Sequence, residues 1–139
     1  MTFKVLALWI VASAAFLTAN TVKADEAKVM QAKVALGEAF TKMALLTNSF
    51  TEKGKQESGA AGMQLAHQFS VTIDEMISNG LQHDGSCEQI TQYSDQRINE
   101  MFEQTKDDKV NSAAALRSVA NTKSAIHNYV VAQCENLNG

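Results

Sequence analysis

The groups in this 139-residue chain with the chemistry to bind or react are few: two cysteines, three histidines and a scatter of carboxylates. His67, His83 and His127 lie far apart, and none belongs to a helical pattern of zinc ligands. His83, Asp84 and Cys87 form the nearest thing to a metal-like set, and it dissolves once Cys87 is committed to a disulfide. No Gly-x-Ser-x-Gly elbow and no glycine-rich phosphate loop is present. Asp74 and Glu75 are adjacent, so on a helix they point about 100° apart and cannot flank one scissile bond. Glu100 and Glu103 share a face, as ordinary solvated helix charges do. The expectation is a protein without enzymatic activity, metal site or resident cofactor.

The cysteines carry the clearest geometric message. Cys87 and Cys134 lie 20 residues before and 25 residues after the Asp107-Asp108-Lys109 triplet, close to symmetric about it. If that charged triplet is the turn of an antiparallel helical hairpin, equidistant residues come level, and a disulfide needs Cα atoms within about 7 Å. Closing a loop of about 47 residues is worth roughly 4 kcal/mol in the chain-entropy model.

The elements that must position these groups read as four helices. The first spans about Asp25 to Phe50, with Asp25 as cap and Val29, Leu36, Phe40, Met43 and Thr47 on one face. Thr51 to Ser58, with Gly54 inside and Gly59 after it, reads as a mobile linker. Ser58 then caps a second helix to about Asn79, with Leu65, Phe69, Ile73 and Met76 as its apolar face and Gly80 in a left-handed stop. Leu81 to Gly85 is a loop, and Ser86 with Gln89 is a capping box for a third helix whose inner face holds Cys87, Ile90, Ile98 and Met101, with Phe102 beside them. The fourth helix places Leu116, Val119, Ile126, Val130 and Leu137 on its stripe, with Ala120, His127 and Cys134 on the flank and a frayed tail from Asn136. Proline is absent, and short connections favour antiparallel neighbours. The expected fold is all-α: an up-down four-helix bundle with a disulfide-linked C-terminal helical hairpin. A second arrangement puts that hairpin in the core of a homodimer.

Residues 1–24 read as a cleaved secretory signal. Lys4 charges the start, Val5 to Ala19 is apolar, and Val22-Lys23-Ala24 is a small-x-small site. The apolar run of about 15 residues is short for a bilayer span of about 20. Residues 25–139 then form a single exported, periplasmic helical domain, and export permits the disulfide. Loss of Lys4 and Lys23 takes the formal charge from −3 to −5, which disfavours nucleic acid and anionic membranes and suits a basic partner.

In size, export, acidity and disulfide, the chain resembles the periplasmic immunity proteins that neutralise cell-wall-directed effectors of type VI secretion. That resemblance implies a non-enzymatic inhibitor that plugs the cleft of a secreted toxin. The residues best placed to touch such a partner are Gln82, His83, Asp84, Glu88, Gln89 and Gln92, which are polar, long-armed and close to Cys87. A second likeness rests on Thr122-Lys123-Ser124-Ala125-Ile126-His127, which is similar to the last-helix segment of the soluble periplasmic four-helix b-type cytochrome. It implies haem b held by Met30 and His127, although Lys123 stands where that family usually has arginine. Covalent attachment is excluded, because no Cys-x-x-Cys-His occurs. A periplasmic chaperone or stress protein is the third class that this composition fits.

Overall fold

A computed structural model describes residues 24–47, 52–104 and 113–138, and within them every residue but the four of 83–86 is helical. The helices are α1 (Ala24–Thr47), α2 (Glu52–Gln82), α3 (Cys87–Gln104) and α4 (Ala113–Asn138). The bundle and its disulfide are as the sequence predicts: Cys87 and Cys134 are bonded, with Cα atoms 5.7 Å apart. Residues 1–23 of the signal expected over 1–24, the end of helix one at 48–50 and the Asp107-Asp108-Lys109 turn lie outside the described residues.

Helix α4 is the central element, packing against all three others, whereas α1 and α3 do not pack on each other. The core is built from Leu36 and Phe40 of α1, Ile73 and Ile77 of α2, Ile90 of α3, and Ile126, Tyr129 and Val130 of α4. Phe40 and Phe69 meet with ring centroids 4.9 Å apart, joining α1 to α2. Burying a central position such as Leu36 or Ile77, each fully covered, contributes about 2–3 kcal/mol of transfer free energy.

Four expectations are corrected. The stretch 52–58 is not a linker but the first two turns of α2, with Gly54 and Ser58 buried. The reason is a stripe of small residues, Gly54, Ser58, Gly62, Ala66 and Ser70, recurring every fourth position on the buried face. It lets α2 approach α1 so closely that a Cβ on Gly62 would sit 2.8 Å from Thr41 Cα. Gly80 does not end the helix in a left-handed conformation: no glycine among the described residues has a positive φ, and α2 continues to Gln82. Gly80 is small instead because Ile90 Cγ1 lies 2.8 Å from where its Cβ would be. On helix α4 the expected stripe holds at its centre, where Ile126 and Val130 are buried, but not at its ends: Leu116 and Leu137 are about half exposed, and Thr122, Ala125, Tyr129 and Cys134 complete the buried face. The tail expected to fray from Asn136 is helical to Asn138.

The α2–α3 side differs from the rest. The two helices come together beside their turn, where Ile90 packs on Gly80, and further along they part to leave an open, apolar-lined seam.

Candidate functional site

The six polar residues singled out from sequence gather at one end of the bundle, around the α2–α3 turn, and all are exposed. Local chemistry holds this turn from both sides. At the end of α2, the Gly85 N–H donates to Gly80 O (2.9 Å) and the Asp84 N–H to Leu81 O (3.3 Å), the paired closure of a Schellman motif. Asp84 occupies the left-handed position, with φ 61°; aspartate is among the few non-glycine residues that tolerate it. Gly85 is required next to it, since a Cβ there would lie 2.8 Å from Gly80 O.

At the start of α3, the capping box read from sequence is formed. The Gln89 N–H donates to Ser86 Oγ (3.2 Å), and the Ser86 N–H to Gln89 Oε1 (3.0 Å). One residue later Cys87 is bonded to Cys134 of α4, so helix end, turn, cap and crosslink succeed one another within eight residues. His83 is tied back as well, its ring Nδ1–H donating to Asn79 O at 2.8 Å. Gln89 and His83 therefore serve the turn itself. Gln82, Asp84, Glu88 and Gln92 are the side chains it displays.

Glu88 and Gln92 also edge a shallow recess on the α3–α4 seam, beside Asp95, His127 and Glu135. His127 Nδ1–H donates to both carboxylate oxygens of Asp95, at 2.9 and 3.0 Å, and each side chain is a little under half exposed. Asp95 escaped the sequence reading, yet a signal existed. Asp95 lies eight residues after Cys87 and His127 seven before Cys134, so the register that pairs the cysteines also pairs these two.

The haem reading needs Met30 and His127 around one cavity. Met30 is 61% exposed on α1, whereas the recess at His127 is lined by α3 and α4 residues only. Met30 is not among the residues that line that recess. Three or more His, Cys, Asp or Glu side chains grouped to hold a metal ion are likewise absent among the described residues.

A second polar group unread in the sequence sits between α2 and α4. Tyr129 OH donates to Asp74 Oδ1 at 2.7 Å, and Gln133 Nε2 donates to the same oxygen at 2.9 Å. Burial, and then the Asp74 carboxylate, push the Tyr129 phenol well above its ordinary pKa, so it is a neutral structural donor. Asp74 and Glu75 part as their spacing requires, Asp74 turning inward and Glu75 exposed.

Comparison of the chain with protein-family models, with curated proteins and with solved structures finds no match.

Proposed function

We propose that this chain is an exported, periplasmic, non-enzymatic protein-binding domain that inhibits a secreted, cell-wall-directed toxin. The observation that carries the reading is the α2–α3 turn. It displays Gln82, Asp84, Glu88 and Gln92 to solvent while a Schellman closure, a capping box and a disulfide hold their backbone. Side chains mounted on a backbone already ordered lose less entropy on binding, and that is how a small inhibitor reaches high affinity. An acidic domain also associates faster with a basic cleft, and salt slows that association.

The test is a binding titration against the product of the gene adjacent to this one, with inhibition of that product as a second readout. Glu88→Lys should weaken binding by more than about 1 kcal/mol, while Glu38→Lys on the exposed face of α1 leaves it unchanged. At position 84 the informative change is Asp84→Asn, which removes the charge and still suits the left-handed backbone there. Unaltered affinity in both turn variants would place the contact elsewhere. Absence of any bound toxin would end the inhibitor reading.

A further inference from the structure

We infer that the recess on the α3–α4 seam is a thiol–disulfide exchange site, entered through Cys87 alone and selective for a thiol flanked by positive charge. The inference goes beyond the inhibitor reading and does not depend on it.

The two sulfurs of the crosslink are not equally open. Cys134 is 0% exposed and does not line the recess, whereas Cys87 is partly exposed and does. Exchange is a displacement in which the incoming thiolate meets one sulfur from the side away from the other, so access decides which sulfur is attacked. The recess, about 340 Å³ in volume, brings solvent to Cys87, and packing denies it to Cys134. A thiolate RS⁻ then bonds to Cys87 Sγ as the bond to Cys134 breaks, and the electron pair leaves on Cys134 Sγ. A second RS⁻ attacks the R sulfur of this adduct and releases RSSR and the Cys87 thiolate. The protein gains two electrons, and water supplies a proton to each new thiol. In the oxidising direction the Cys87 thiolate opens RSSR and expels RS⁻, and Cys134 displaces the second RS⁻ from the adduct. Both directions pass through one intermediate, the mixed disulfide on Cys87.

Charge at the mouth of the recess selects the thiol. Glu88 and Glu135 are each the sequence neighbour of a bridged cysteine, both are exposed, and both line the recess; no lysine or arginine lines it. Asp95 lies eight residues beyond Cys87, about 12 Å along α3, and is bonded to His127, so its charge counts for less. Two carboxylates at short range repel an anionic thiolate, and positive groups beside that thiolate offset the repulsion and draw it in. The recess therefore takes a thiol carried beside ammonium or guanidinium groups, on a small molecule or on the surface of a dithiol oxidoreductase.

The experiment measures reduction of the oxidised protein at low salt and equal thiolate concentration by cysteamine, mercaptoethanol and mercaptopropionate, and by the peptides Lys-Cys-Lys and Glu-Cys-Glu. Each rate is normalised to that of the same thiol acting on hydroxyethyl disulfide. Cysteamine should outpace mercaptopropionate at least about fivefold, with mercaptoethanol between them, and about 0.5 M salt should collapse the difference. Glu88→Gln and Glu135→Gln should each narrow it, whereas Glu38→Gln on the exposed face of α1 should not. Lys-Cys-Lys reacting as fast as cysteamine assigns the site to a protein-borne thiol, and its exclusion assigns the site to a small one. In folded Cys134→Ala, cystamine should modify Cys87, and in folded Cys87→Ala it should leave Cys134 untouched. The wild-type rates decide the matter if either variant fails to fold. A rate that stops rising with thiol concentration, as when unfolding gates the bond, would overturn the inference. So would rates indifferent to thiol charge, or an adduct on Cys134 of the folded protein.

Discussion

Tyr129 shows how one side chain sets a property of the whole protein. Its hydroxyl reaches Asp74 from a position only 1% exposed, so ionising it would put a second negative charge against that carboxylate away from water. Below about pH 10, the ordinary phenol value, folded and unfolded chains both keep the proton and the full contribution is present. Above it the unfolded chain gives up a proton that the folded chain retains, so stability falls as pH rises. The denaturation midpoint should decline as pH rises above about 10, and Tyr129→Phe should remove that part of the decline while costing about 1–2 kcal/mol at neutral pH. Nothing in the residue pattern announces this pair. Reading α4 by its strongest hydrophobes favours the side of Leu116 and Leu137. The helix packs on three neighbours and, besides the expected Ile126 and Val130, buries Thr122, Ala125 and Tyr129, whose modest hydropathy hides a central position. The cysteines and the Ser86–Gln89 box were legible because each encodes a geometry that a spacing can express.

Between helices, the α1–α2 contact turns on which atoms face each glycine. At Gly62 a Cβ would press on the Thr41 Cα and on Phe40 O at 2.9 Å, both backbone and unable to move aside. At Gly59 the nearest atom is Thr41 Cγ2 at 4.0 Å, an ordinary contact. Thermal denaturation should therefore separate two identical substitutions. Gly59→Ala should stabilise by up to about 1 kcal/mol through helix propensity, and Gly62→Ala should destabilise by about 1–3 kcal/mol through overpacking. The same contrast explains why 52–58 reads as a linker in sequence. Glycine and serine are loop formers when nothing packs on them, and their four-residue recurrence becomes meaningful only once α1 is there to lie against. The candidate turn was legible for the opposite reason, since caps are local. Its details differ in two places: Gly80 is small to admit Ile90 while Asp84 takes the positive φ, and α2 runs through Leu81 to Gln82.

For the molecule as a whole, stability is divided between a core centred on α4 and one covalent crosslink. Cys134 is fully buried and Cys87 only partly, so a reductant reaches the bond from the α3 side. Reduction, followed by urea denaturation, should cost about 2–5 kcal/mol, and the circular dichroism of the reduced protein should remain helical below its new midpoint. The crosslink has another consequence in a compartment where proteases act. Cys87 and Cys134 close a covalent ring through α3, α4 and the segment joining them, and that ring is 48 of the 139 residues. A single peptide-bond cut anywhere inside it opens the ring without releasing a fragment. The severed pieces stay tethered at the bundle end that carries the α2–α3 turn, so a nicked molecule keeps both partners of the Asp95–His127 pair and every residue of the turn attached to one particle.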